Sequence, residues 1–97
     1  MSFVMMARKR VVIVDVRRKR ILYRASHRGT KEADVLIGGF VAAQVQALTS
    51  AQLDRLECLL DEFDLDIVHW VTGQRPVPAQ HDHDVFHMLV SFKPYET

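Results

Sequence analysis

Two clusters in this chain of 97 residues combine residue types and spacings that could do chemistry. The first is His81-Asp82-His83-Asp84, followed by His87. His83 and His87 are four residues apart, which on a helix places both imidazoles on one face, a spacing that can bind zinc. Two nitrogens fall short of a catalytic site. A third protein ligand and a general base would have to stand opposite, and neither is evident. Aspartates at a helix start are already accounted for by capping and the helix dipole, so no metal is expected. The second cluster is cationic. Six of the twelve residues from Arg17 to Arg28 are Lys or Arg, and Arg17, Arg20, Arg24 and Arg28 recur at helical spacing, so they are expected to line one face.

Other chemistry is sparse. Cys58 is the only cysteine, which rules out an internal disulfide and a Cys-rich zinc module. At about 100° per residue it falls opposite the leucines of its helix, near Asp54, Asp61 and Glu62; carboxylates disfavour a thiolate, so a surface thiol is expected. No phosphate-binding glycine loop, Ser/His/Asp arrangement or catalytic carboxylate pair stands out. We therefore expect no catalytic residue and no enzyme. Trp70 and Phe63 read as core aromatics.

The cationic cluster needs a partner class. Ten of the thirteen Lys and Arg lie in residues 1–31 with a single acid, Asp15, giving +9 there and −8 over the rest. A basic helix can neutralise phosphates, and two helices around a tight turn could pass for a helix-turn-helix. The acidic remainder would repel a duplex, so docking onto a protein is preferred to a nucleic-acid or regulatory role. No apolar run approaches the roughly 20 residues of a membrane span, so direct membrane insertion is not expected.

The elements that must position these residues are helical throughout. Residues 1–16 read as a flexible N-terminal arm, Met- and Val-rich and without a capping signal. Residues 17–97 read as an all-α, compact five-helix bundle. Helix one, 17–28, carries Ile21, Leu22 and Ala25, with Tyr23 beside them. Gly29 supplies a left-handed position just past its end, and Thr30 caps the next helix, so the turn is about two residues long. Helix two, 31–47, has an apolar stripe of Ala33, Leu36, Ile37, Phe40, Ala43 and Ala47. Gly38 and Gly39 interrupt it and imply close approach by a neighbour. Thr49 and Gln52 form a capping box, and Leu48 and Leu53 a hydrophobic staple, for helix three. Its face is Leu53, Leu56, Leu59, Leu60 and Phe63. Asp64 is expected to cap helix four, with Leu65, Ile67, Val68, Trp70 and Val71. Asp82 or Asp84 is expected to cap helix five, with Val85, Phe86, Leu89 and Phe92, stopped by Pro94.

Arg20-Ile21-Leu22-Tyr23, Ser26 and then Arg28-Gly29-Thr30-Lys31-Glu32 resemble the succinate dehydrogenase FAD-assembly factors, the small flavinator proteins. That family carries R-G-x-x-E at the junction of its first two helices, matched by Arg28, Gly29 and Glu32. An acidic stretch at Asp61–Asp66, then Trp70, then prolines before a last helix agree, so the resemblance covers residues 17–93. It implies a five-helix factor that binds the flavoprotein subunit of succinate dehydrogenase, or of fumarate reductase. The factor promotes covalent attachment of FAD and leaves the flavin chemistry to that client. No cofactor is then bound stably by this chain; FAD belongs to the client. The resemblance places Arg28, Gly29 and Glu32 at the client near its FAD site; Arg20 and Arg24 extend the positive face, and Lys31 and Asp34 complete the expected partner-binding set. It implies a monomer, with a weak dimer as the alternative. The short N-terminus favours the bacterial cytoplasm over the mitochondrial matrix.

Overall fold

The computed structural model describes residues 16–93. The arm at 1–15 and the stop at Pro94 lie outside them, and Val16 already belongs to the first helix, α1, residues 16–26. α2 spans residues 31–47 as a composite: Lys31–Ala33 is α-helical, Asp34–Gly38 is π-helical, Gly39–Gln44 is α-helical and Val45–Ala47 is a 3₁₀ turn. α3 is Ser50–Leu60, α4 is Asp64–Val71 and α5 is Asp84–Ser91, with a 3₁₀ turn at Ala79–His81 before α5. The five-helix, all-α expectation holds across the described residues.

α1 and α2 approach as closely as the glycines imply. A Cβ on Gly38 would lie 3.1 Å from the Ser26 Cα and 3.2 Å from the Ala25 carbonyl oxygen, backbone that cannot step aside. Gly39 lies under the Phe92 ring, which would sit 3.3 Å from a Cβ there. Phe92 in turn meets Phe40 edge to face at 5.9 Å.

The π-helical stretch changes which residues α2 buries. A π turn holds more residues than an α turn. The buried face therefore advances four at a time through Ala33, Ile37, Val41 and Val45, with Phe40 beside it. Ala43 and Ala47, expected in the stripe, are exposed, and Leu36 is only partly buried. A uniform 3.6-residue period cannot represent that shift.

α3 follows its sequence signals. The Thr49–Gln52 capping box is complete, with Thr49 N–H donating to Gln52 Oε1 at 2.9 Å and Gln52 N–H to Thr49 Oγ1 at 3.1 Å. Leu48 and Leu53 are both buried beneath it, as are Leu56, Leu59 and Leu60. Cys58 is exposed. Phe63, expected on this face, is 79% exposed instead. The helix ends at Leu60, so the periodicity that would have carried Phe63 inward stops one turn too early.

Two caps differ from expectation. Asp64 is the first residue of α4, whose N-cap is Phe63, because the Asp64 carboxylate is committed to Arg28. α5 is capped by neither Asp82 nor Asp84 but by His83, whose Nδ1 accepts the Phe86 N–H at 3.2 Å. That bond requires an unprotonated Nδ1. Burial first, then His81 and Arg55, lower the His83 pKa against the opposing pull of Asp84. A lowered folded-state pKa means that stability present above the unfolded value of about 6.5 is lost as pH falls below it. Asp84, held below the ordinary carboxylate range by hydrogen bonds from Gln52 and from the Val85 N–H and by the nearby Arg55, adds its own loss near pH 4 and under. His83→Asn keeps a cap that does not titrate. Between pH 7.5 and 5.5 the wild type should lose about 1 kcal/mol more than this variant, by urea unfolding. Equal losses would contradict the cap.

Candidate functional site

The segment joining α1 and α2 is longer than the spacing predicts. α1 ends at Ser26 rather than Arg28, leaving residues 27–30 as the connection. The cause is local. His27 Nδ1 donates to the Tyr23 carbonyl at 2.9 Å, occupying an acceptor at the helix end, and its ring stacks on Tyr23 at 3.9 Å between centroids. The next backbone N–H, that of Arg28, donates to Asp34 Oδ1 at 2.7 Å. Gly29 then takes φ +105°, a conformation L residues rarely adopt. Thr30 caps α2 as expected, accepting the Ala33 N–H at 3.2 Å.

Arg28 is the most constrained residue of this segment. Its side chain is only 10% exposed. Nε donates to Asp64 Oδ1 at 2.5 Å, Nη1 to the Leu60 carbonyl at 2.7 Å and Nη2 to the Glu62 carbonyl at 2.7 Å. The planar fork thus collects the last carbonyls of α3 and the first carboxylate of α4. Glu32 takes no part in orienting it: that work is done by Asp64, Leu60 and Glu62, with Asp34 fixing its backbone.

Three cations of α1, Arg17, Arg18 and Arg24, are also engaged within the chain. Arg17 pairs with Asp54 and, at 2.7 Å, with Glu57; these contacts, Glu57 first, raise its pKa. Arg24 pairs with Asp61 at 2.6 Å. Arg18 donates to the carbonyls of Val45 at 2.9 Å and Leu48 at 2.8 Å, at the end of α2. Half of the basic stripe, Arg17 and Arg24, is therefore paired with acids along α3 and at its end. Among the described residues, Lys19, Arg20 and Lys31 are exposed and carry no ion pair.

Of the seven partner-binding candidates, the structure gathers Arg28, Gly29, Lys31 and Asp34 at one junction. Arg24 lies beside Arg28 along an open groove of about 430 Å³ that Tyr23, His27, Phe63 and Asp64 also line. Arg20 is exposed farther back on α1. Glu32 is exposed and turns to a second groove, of about 470 Å³, with Leu36, Val71, Val90 and Phe92. Sequence reasoning missed the aromatic rim of the first groove: Tyr23 is 64% and Phe63 79% exposed, and both line it with the Arg28–Asp64 pair, while Leu65, also exposed, follows on α4. It also missed Asp64, the first residue of α4, as a partner for Arg28. A signal was available. Arg17, Arg24 and Arg28 each meet an acid 36 to 40 residues later, the near-constant offset expected of two helices running parallel.

His83 and His87 form no metal centre with each other. His83 Nδ1 is taken by the cap, and His87 Nε2 lies 2.6 Å from Asp82 Oδ1. Among the described residues no three His, Cys, Asp or Glu side chains converge on a point that could hold an ion, and no helix is long and apolar enough to cross a membrane.

The fold is a small all-α domain of five helices whose first two are joined by an exposed loop at Gly29 over a largely buried Arg28. Residues 19–93 match the family described as flavinator of succinate dehydrogenase, and the chain belongs to that family. It is similar to the FAD assembly factor SdhE of Acetobacter pasteurianus, 42% identical over 64 residues that cover 66% of this chain and 59% of that protein. It is 40% identical over 70 residues to mitochondrial succinate dehydrogenase assembly factor 2 of Candida glabrata, covering 69% of this chain and 46% of the other. With the Danio rerio protein of the same name it shares 32% over 81 residues, 81% and 51% of the two chains. The chain thus spans about half the length of the curated relatives it matches, which come from bacteria and from mitochondria.

The clamp makes a quantitative demand. Removing one partner of a buried, hydrogen-bonded ion pair leaves the other charge uncompensated, so Arg28→Ala should lower unfolding stability by about 3 kcal/mol. Arg28→Lys, which keeps the charge and loses the fork, should fall between that variant and wild type. Urea unfolding of the three proteins checks the order, and an Arg28→Ala variant as stable as wild type would show that the clamp does not hold the fold.

Proposed function

We propose that this chain binds the flavoprotein subunit of succinate dehydrogenase, or of fumarate reductase, and promotes covalent attachment of FAD to it. The covalent chemistry remains the client's, and FAD stays with the client. The observation that carries the reading is the exposed Gly29 at φ +105°, held between a clamped Arg28 and the helix-capping Thr30, in a chain that belongs to the flavinator family.

Within that reading the seven candidate residues divide the work. Gly29, Lys31 and Glu32 meet the client. Nothing stands within 4 Å of a Cβ built on Gly29, so the space above it is open to an approaching backbone. Arg28 and Asp34 shape the loop from behind, and Arg24 holds α1 to Asp61 at its edge. Arg20 and Lys31 supply the free positive charge that speeds encounter with an acidic surface. The aromatic rim of Tyr23 and Phe63 gives the contact its desolvated area, where interface aromatics contribute most. Nucleic acid is disfavoured because Arg17, Arg18, Arg24 and Arg28 are already engaged within the chain. The relatives include both a bacterial protein and mitochondrial ones.

Co-expression with a flavoprotein subunit, read as covalent flavin fluorescence in a denaturing gel, tests the function. The fluorescent band should rise with the wild-type chain and stay at background with Gly29→Arg. That variant should cost about 1–2 kcal/mol of stability through its backbone conformation, leaving the fold intact. Undiminished flavinylation and client binding by Gly29→Arg would sink the docking reading. Phe63→Ala should weaken client binding by about tenfold with stability changed by less than about 0.5 kcal/mol, as expected of an exposed interface aromatic. Calorimetric titration measures the first and urea unfolding the second.

A further inference from the structure

The loop that displays Phe63 is held from two sides, and only one of them is the Arg28 clamp. Glu62 gives its backbone carbonyl to Arg28 Nη2. Its carboxylate faces the opposite way and accepts from His81 Nε2 at 2.7 Å. Gln80 Nε2 donates to the same carboxylate oxygen at 3.4 Å. His81 is 3% exposed, the one buried polar side chain among the described residues. Its ring lies 5.6 Å from that of Trp70 on α4 and meets His83 edge-on at 6.3 Å. Its backbone N–H donates to the Pro78 carbonyl at 2.9 Å, so the ring hangs from a fixed turn. The other ring nitrogen, Nδ1, is buried without a partner.

A buried imidazole with one committed nitrogen and one unsatisfied nitrogen is a poor core residue. Phenylalanine would fill the volume against Trp70 without stranding a polar atom. What the imidazole adds is a directed hydrogen bond to Glu62. We infer that His81 is a positioning residue for the docking face: through Glu62 it fixes the 61–63 loop, so that the connector before α5 sets the presentation of Phe63 and of the carbonyl that clamps Arg28. The inference rests on the docking reading for its consequence in client binding, while its structural half stands without it.

The mechanism is a population effect. Phe63 sits between Glu62, anchored by His81 and Arg28, and Asp64, anchored by Arg28 alone. With the His81 bond lost, the loop samples other arrangements, and the apparent affinity for a client falls by the fraction that remains competent. One hydrogen bond to a charged group suffices for about a tenfold change.

The test uses the full chain and an isolated flavoprotein subunit as the probe. His81→Phe keeps the aromatic bulk and removes the bond. Glu62→Ala removes the acceptor, and Glu62→Gln keeps an amide oxygen that the His81 Nε2–H can use. His81→Phe and Glu62→Ala should each weaken binding about tenfold, the double variant should be no weaker than either single one, and Glu62→Gln should stay within about twofold of wild type. A purely structural role would instead lower unfolding stability and leave affinity of the folded protein unchanged. Wild-type affinity in His81→Phe, or losses that add in the double variant, would overturn the inference. Amide hydrogen exchange at residues 61–64 needs no client: His81→Phe should accelerate it and Glu62→Gln should not. Unchanged exchange refutes the latch even if Gly29→Arg abolishes binding; accelerated exchange in a chain that binds no flavoprotein refutes the docking reading and keeps the latch.

Discussion

The guanidinium of Arg28 is nine-tenths removed from water and must find compensation inside the protein. It finds it where three helices meet. The end of α3 offers the carbonyls of Leu60 and, just beyond, Glu62, at the negative pole of the helix dipole; α4 begins with Asp64, whose carboxylate is favoured at a positive pole. The fork suits this arrangement because three of its N–H groups diverge in one plane. Arg28's own N–H reaches Asp34 in α2, so the same residue fixes the start of that helix as well. The conformation of Gly29 follows: the chain has to turn from a buried arginine to a capped Thr30 within two residues, and a positive φ at glycine does so without a Cβ conflict.

This constraint alters the meaning of the charge asymmetry. A chain whose first third carries +9 and whose remainder carries −8 invites a picture of a basic face seeking an acidic partner. In the folded protein part of that asymmetry is consumed internally: Arg17 and Arg24 of α1 meet acids along α3 and at its end, and Arg28 meets Asp64 of α4. What remains outward is a smaller set of charges around Arg20 and Lys31 and an aromatic rim of Tyr23 and Phe63. A docking surface of this kind draws more of its affinity from desolvated aromatics and less from long-range attraction, and should be less sensitive to salt than the sequence suggests.

The parts of the fold that were legible are those governed by local rules. The Thr49–Gln52 box, the staple of Leu48 on Leu53, the leucine face of α3 and the Thr30 cap all depend on residues a few positions apart, and the close approach at Gly38 follows from the absence of a side chain. The parts that were not legible depend on distant partners. Asp64 leaves its capping role because Arg28, 36 residues earlier, takes its carboxylate. Phe63 leaves the core because α3 stops at Leu60, where its terminal carbonyls are claimed by that same arginine. The buried face of α2 shifts because a π-helical stretch follows the Asp34 tie. His83 displaces two aspartates as the cap of α5, a role a histidine fills only when a neighbouring burial keeps its ring neutral. The R-G-x-x-E pattern located the junction; which of its residues face outward was decided by contacts the pattern does not contain.

In the function we propose, Arg28 organises the docking face from within while Gly29 and Phe63 present it. Nitrogen-15 NMR of the Arg28 Nε–H group addresses it directly. In the free chain that proton should exchange slowly with water, and adding the flavoprotein subunit should leave its resonance in place while the backbone amides of Gly29 and Phe63 shift. An Arg28 Nε–H that exchanges freely, or one that leaves Asp64 when the client binds, would contradict the account.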